Sequence, residues 1–436
     1  MSDIVIGFSG LGISLLLIAM RVHIGVALGS ISLLGIGLIL NSKAAWGMIT
    51  ATPFNFIGNW TFTAVPMFLL MGFMCTSTGL TKGLFHATQV FFTRLPGGLA
   101  IASVGASALF ASACGSSVAT ASAMSRIAVP EMLRHKYDKG LATATVAASG
   151  TLGSLIPPSI IMILYALYAD TSVGKLFMAG FIPGILSALI YIAMIVTRVK
   201  LKPELAASVD TIYSKEEKIK AAKDIWPLPF LMFMVLGGIF FSVFTPTEAG
   251  AIGATLSMII AFFRKSLTLE SVKKSLGQTV RGTASIFIII IGTSFLARFM
   301  ALSGVPQFLA EGILSFGAGP YSMIFGVALL YLFLGMFVEP IGLLLLTLPI
   351  ILPLANSLGV DLIWFGIIIV KLLEIALITP PVGLNVYVIK GALGELVSLN
   401  TIFKGVYWFI LMDVITLLLL VIFPEITLFL PNLMWK

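Results

Sequence analysis

Charge is what this sequence has least of. Asp, Glu, Lys and Arg make up 10% of its 436 residues, hydrophobic residues make up 59%, and the mean hydropathy is +1.10. A soluble chain carries roughly a quarter charged residues, so a soluble enzyme, a nucleic-acid binder and a disordered scaffold are excluded. Cysteine is nearly absent. Cys75 and Cys114 both sit in apolar segments, which argues against a disulfide framework. The three histidines, His23, His86 and His135, are scattered without metal-ligand spacing. No Walker A motif, G-x-S-x-G elbow or H-E-x-x-H motif occurs, which leaves neither an ATP-driven pump nor an enzyme in view.

What is present is apolar sequence in long runs, with 42 Gly and 20 Pro. At about 20 residues per span the length allows on the order of a dozen crossings, so the class is an all-α polytopic membrane protein. The net charge of +8 is then loop charge and not a nucleic-acid surface. The opening MSDIVIGFSGLGISLLLIAM lacks a basic leader and a cleavage site, and reads as the first span. Spans are expected near 4–20, 25–40, 63–80, 141–169, 177–197, 226–243, 247–263, 283–301, 362–389 and 406–423. Two further stretches, 95–133 and 318–356, are nearly twice a span yet have no charged midpoint. They are expected to be re-entrant helical hairpins, which membranes tolerate only where backbone is buried in protein or lines a wet cavity.

The extended polar segment is 198–224, where seven Lys/Arg mix with five Asp/Glu, and it reads as a solvated amphipathic linker. It divides the chain into a first repeat, 1–197, and a second, 225–436. One offset of 223 residues maps Pro130 onto Pro353, Asp138 onto Asp361, and Pro157 and Pro158 onto Pro380 and Pro381. It also maps one hairpin onto the other. The stretches at 134–139 and 264–281 are basic, whereas their repeat partners at 357–362 and 41–58 hold one acid and one Lys. Positive charge stays on the cytoplasmic side, so the repeats are expected to be inverted. In that topology the linker is cytoplasmic, the N-terminus periplasmic, and 20 of 26 Lys/Arg lie inside. Lys43, Lys175 and Lys436 fall outside, and Arg126, Arg298 and Lys371 fall within spans. Inverted repeats with broken helices are characteristic of secondary transporters.

Four segments could carry chemistry. In ASACGSSVATASA (111–123) the small residues support close helix packing. The same residues equally support a tip at Gly115 that exposes amides to an anion and carbonyls or hydroxyls to Na⁺. GTLGSLIPPS (150–159) and LITPPVGLN (377–385) each place two prolines inside a span, where each proline removes a donor and frees an upstream carbonyl. Two such breaks at equivalent places point to a paired ion site. Glu339 sits at the expected tip of the second hairpin, as a functional acid at membrane depth or as a cap on broken-helix amides. Arg126, one turn beyond the Ser/Ala stretch, is a candidate to attract a substrate carboxylate. Lys371 and Glu374 are spaced as a local pair, and Arg298 is placed to snorkel.

GSSVATASA, the long segment PEMLRHKYDKGLATATVAASGTLGSLIPPSIIMILYA, KLFMAGFIPG, FTPTEAGAIGA, GMFVEPIG with LTLPIILP, and ITPPVGLNVYVIKG together resemble the large membrane subunit of tripartite ATP-independent periplasmic (TRAP) transporters. The resemblance spans essentially the whole chain. It implies an elevator-type carrier with scaffold helices at 4–80 and 226–301. The hairpins (95–133, 318–356) and broken helices (141–169, 362–389) would form the transport domain, joined to the scaffold by arm helices at 177–197 and 406–423. It implies Na⁺-coupled uptake of a carboxylate-containing organic acid, such as sialic acid or a C4-dicarboxylate, across the bacterial inner membrane, with no organic cofactor. The implied partners are a small four-helix membrane subunit and a periplasmic substrate-binding protein. One Na⁺ site would use Ser116, Gly153, Ile156 and Pro158, and the other Gly335, Ala376, Thr379 and Val382. Substrate would lie near Ser116, Ser117 and Glu339, with Arg126 and Asn385 as further candidates. A stand-alone ion-coupled anion transporter of related fold is the alternative.

Overall fold

A computed structural model describes residues 2–81, 83–207, 213–315 and 319–434. Linker residues 208–212, residue 318 of the expected second hairpin, and Lys82 and Lys436 lie outside these. Among the described residues all regular structure is helical, and seven helices are long and apolar enough to cross a membrane, or eight if one bent pair is a single span.

The chain opens with three helices, Asp3–Ala19, Ile24–Ile39 and Ser42–Ile57. The first two fall on expected spans but hold 17 and 16 residues, about 25 Å of helix. The third replaces the loop expected at 41–58. Its first turn is closed by Asn41, whose side chain accepts from the Ala44 amide at 2.8 Å. Ala64–Ser77 and a short helix, Leu84–Phe92, lead into the first hairpin, Gly98–Cys114 and Ser117–Arg134. The first broken helix follows as Lys139–Leu155 and Ile160–Tyr168, and then the 29-residue arm Val173–Leu201.

Past the linker, Pro227–Phe240, Pro246–Phe263 and the 35-residue helix Leu269–Ser303 precede a short helix, Val305–Ser315. That long helix absorbs most of the basic 264–281 stretch, where composition alone predicts a loop. Thr268 and Ser271 start it with reciprocal side-chain-to-backbone bonds of 3.1 and 3.0 Å, a local cap that outweighs the polar composition. The second hairpin is Pro320–Gly335 and Pro340–Ser357, the second broken helix Leu362–Ile378 and Leu384–Leu393, and the second arm Leu399–Ile422.

The offset of 223 carries Ser117–Arg134 onto 340–357 and Lys139–Leu155 onto 362–378, the observed bounds of the helices there. Asp138 and Asp361 cap equivalent helices, accepting from Leu141 at 2.8 Å and from Ile363 and Trp364 at 2.9 and 2.8 Å. Both Pro-Pro bonds, Pro157–Pro158 and Pro380–Pro381, are cis.

The linker is not wholly solvated. Its helix Lys215–Ile225 carries a capping box at Ser214 and Glu217. Ala221 of that helix is buried against Ala87 and Val90 of Leu84–Phe92. The core centres on the broken helices, and Lys139–Leu155 is buried from Gly140 to Leu155. Bonds tie the halves together there. Tyr165 donates to the Leu362 carbonyl at 2.7 Å, and Asn385 Nδ2 to the Ala147 carbonyl at 3.1 Å.

Backbones cross with no room for a side chain at two places. A Cβ on Gly292 would stand 2.2 Å from the Gly25 carbonyl oxygen, and one on Gly405 would stand 2.2 Å from that of Gly140. Such crossings replace hydrophobic driving force with close van der Waals contact. Gly292→Ala is therefore expected to destabilise by about 1–3 kcal/mol through forced separation. Gly12→Ala, where a Cβ meets open space, is expected to melt as the parent does. Thermal unfolding in detergent checks the pair.

Candidate functional site

The tip of the first hairpin is a two-residue turn. Gly115 takes φ +60°, which an L side chain resists, and Ser116 takes an extended conformation that starts the next helix. Ser116 accepts weakly from the Ala119 amide, at 3.4 Å, so its hydroxyl oxygen keeps capacity for another partner. Ser117 points into the first broken helix, with its Oγ 2.7 Å from Ser154 Oγ and 3.3 Å from the Thr151 carbonyl oxygen.

The break itself comes from Pro157 and Pro158. Lacking N–H groups, they cannot serve the carbonyls of Gly153 and Ser154, one turn upstream. Tip and break meet closely. A Cβ on Gly115 would lie 3.0 Å from the Pro158 oxygen, and one on Gly153 would lie 3.3 Å from the Ser116 carbonyl carbon. Ser116, Gly153 and Pro158 are thus brought to one place. Ile156 belongs to the same turn, and its side chain packs against Gly184 of the arm. The oxygens gathered here are hydroxyl and carbonyl, the hard donors that suit Na⁺.

At the second break Gly335 meets Ala376, since a Cβ on Gly335 would lie 2.5 Å from the Ala376 Cβ. Pro380 and Pro381 remove the donors due to Ala376 and Leu377. The Thr379 amide reaches the Ala376 carbonyl at 3.3 Å, and its hydroxyl donates to Ile375 at 2.6 Å, which leaves the hydroxyl lone pairs able to accept a cation. Val382 follows in the turn that Gly383, at φ +59°, folds back onto Ile378. This donor set also fits Na⁺.

The remaining expected residues divide. Asn385 is fully buried, with Nδ2 on Ala147 and Oδ1 without a partner among the described residues. It stands in the first turn after the second break and reaches the first broken helix. Glu339 caps no amide with its side chain. It lines a cavity of about 220 Å³ with His23, Ile24 and Ile289, and no residue of the first hairpin shares that wall. Arg126 is exposed on the second arm of the first hairpin. Arg298 is exposed and lines a cavity with Tyr168 and Ser294.

A buried charge cluster is the feature that sequence reading resolves only in part. Lys371 Nζ contacts Glu374 Oε2 at 3.1 Å, as the spacing predicts, but also Asp413 Oδ1 at 2.7 Å and Ser187 Oγ at 3.2 Å. Tyr191 donates to the same Asp413 oxygen at 2.5 Å. All five side chains are fully buried. The cluster joins the second broken helix to both arms. Its signal in the sequence is a lone acid, Asp413, in one apolar helix matched by a lone Lys in another. Lys371→Met is expected to cost about 3–5 kcal/mol by stranding two buried carboxylates. Combining it with Glu374→Gln and Asp413→Asn is expected to recover most of that loss, as thermal unfolding will show.

Comparison with known proteins follows the same lines. The family described as "Tripartite ATP-independent periplasmic transporter, DctM component" matches residues 11–426. The C4-dicarboxylate TRAP transporter large permease protein DctM of Pseudomonas aeruginosa is 37% identical over 377 residues, covering 86% of this chain and 87% of that protein. The sialic acid TRAP transporter large permease protein SiaM of Vibrio cholerae is 32% identical over 408 residues, covering 92% and 94%. Among solved structures, the Alcanivorax borkumensis YdaH transporter is similar at a TM-score of 0.57 and 14% identity, covering 89% of this chain and 90% of that one. That last likeness is one of fold alone.

Proposed function

The chain belongs to the DctM family of tripartite ATP-independent periplasmic transporters and is a multi-pass transporter permease, not an enzyme; on that premise we propose that it couples Na⁺ entry to uptake of a carboxylate-containing organic acid. The observation that carries the proposal is the pair of proline breaks, each packed against a small-residue hairpin turn. The first Na⁺ site is assigned to Ser116 and the backbone at Gly153, Ile156 and Pro158, and the second to Gly335, Ala376, Thr379 and Val382. The cargo carboxylate lies between them, beside Ser116, Ser117 and Asn385, with Arg126 and Glu339 at the periphery of the moving elements.

The coupling has a simple physical origin. A cation at each break offsets the charge of an anionic cargo in a low-dielectric interior, so each ligand raises the affinity for the other. Hairpins and broken helices move as one body against the scaffold, in an elevator step through inverted repeats. The relatives' names supply the cargo classes, C4-dicarboxylate and sialic acid. The tripartite family name supports two partners in the bacterial inner-membrane system: a small membrane subunit and a periplasmic binding protein that delivers the acid.

Uptake into proteoliposomes tests this. Full activity is expected to require a Na⁺ gradient, the small subunit and the binding protein. Uptake by this chain alone would overturn the tripartite reading in favour of a stand-alone anion carrier. Ser116→Ala and Thr379→Ala are each expected to raise the Na⁺ concentration for half-maximal uptake about three- to tenfold, on the scale of one lost polar contact, at unchanged protein levels. Unchanged Na⁺ dependence in both would sink the site assignment.

A further inference from the structure

Two adjoining cavities lie between the scaffold and the moving elements, and the ion sites do not account for them. The larger, about 550 Å³, is bounded by Ser42–Ile57 and Leu269–Ser303 on one side and by the end of Ile160–Tyr168 on the other. Its polar groups are Arg298, Tyr168, Ser294 and Thr52. The smaller, about 380 Å³, shares Tyr168 and Ala297 with it and reaches Asn356 and Leu348 of the second hairpin.

The chemistry of the larger cavity is one-sided. Among the described residues Arg298 is its sole cation, no acid lines it, and Arg298 forms no ion pair with a described carboxylate. The Tyr168 hydroxyl is buried without any partner among them. An exposed guanidinium without a described carboxylate and a buried phenol hydroxyl without a described partner, lining one cavity, offer it donors without an acceptor. The buried hydroxyl is costly in that state, the guanidinium is exposed, and a carboxylate is the ligand that satisfies both donors, the guanidinium in bidentate fashion.

Position gives the site its role. Arg298 lies near the far end of a 35-residue helix whose first turns carry the basic stretch, so by the charge rule it faces the periplasm. Tyr168 ends the nine-residue half-helix that begins at the first proline break, roughly 13 Å from that break.

We propose that Arg298 and Tyr168 form an outer carboxylate subsite, which receives the acid cargo before it reaches the hairpin tips. The proposal rests on the transport reading above and adds to it a second, ion-independent place for the same chemical class.

The test uses the chain reconstituted with its partner subunits. Arg298→Gln is expected to raise the half-saturating concentration of the acid about tenfold, the loss of one charge-assisted contact. Arg298→Lys should recover part of that loss, and Tyr168→Phe should cause a smaller rise. The Na⁺ concentration for half-maximal uptake stays unchanged in all three. As a readout independent of uptake, succinate and N-acetylneuraminate are added to detergent-solubilised protein. At least one should raise the melting temperature of the parent but not of Arg298→Gln.

Unaltered half-saturation in Arg298→Gln, or a fall in maximal rate alone that Lys does not restore, overturns the subsite. If the parent takes up no acid, the transport reading falls. Arg298-dependent thermal stabilisation would then still support the subsite, and its absence would remove that as well.

Discussion

Backbone polar groups cannot be left bare at membrane depth, and this chain breaks its own helices at that depth twice. Pro157 and Pro158 silence the donors owed to Gly153 and Ser154, and Pro380 and Pro381 do the same to Ala376 and Leu377. Every freed carbonyl needs another partner. The packing around the breaks answers that need: a hairpin turn is laid against each, with glycine where backbones must touch. A site that offers ordered oxygens and few competing donors follows from the constraint itself, so ion binding is a natural use of the arrangement.

The two proline breaks are related but not copies. At the first, Gly153 lets the Ser116 backbone come close, and Ser117 adds a hydroxyl contact to Ser154. At the second, Ala376 stands where Gly153 stands in the first half, and the missing Cβ is moved to the hairpin as Gly335. Close approach is kept by trading which partner lacks the side chain. Thr379 brings a hydroxyl to the second break as Ser116 brings one to the first, now from the break rather than from the turn.

How much of this is legible in the sequence depends on whether the cause is local. Proline breaks, aspartate caps and apolar runs act within a few residues, and the expected hairpins and broken helices fall where helices and turns occur. Boundaries fail where local capping opposes composition: Asn41 and Thr268 start helices in stretches whose polarity suggests loops. The linker helix looks solvated in sequence because its one buried face, at Ala221, depends on a distant helix. The meeting of Lys371 with Asp413 spans 42 positions, and no periodicity reports such a distance. The place of Glu339 at a tip is legible, but the cavity it shares with His23 is not, because the two lie far apart in the sequence.

The charge cluster matters because of what it joins. Lys371 and Glu374 sit one to two turns before the second break, while Ser187 and Tyr191 belong to the first arm and Asp413 to the second. Hydrophobic surface is a poor glue between helices surrounded by lipid, since lipid is as apolar as leucine. Polar bonds have no such competitor, and a slide of one helix by a single turn would strand buried charge. The cluster therefore fixes the axial register of both arms on the broken helix far more sharply than the surrounding apolar contacts can. The elevator step proposed above would require that property of its moving part. Arms that slipped on the break would dissipate such a displacement before it reached the prolines, whereas arms locked to it would carry hairpin and break together.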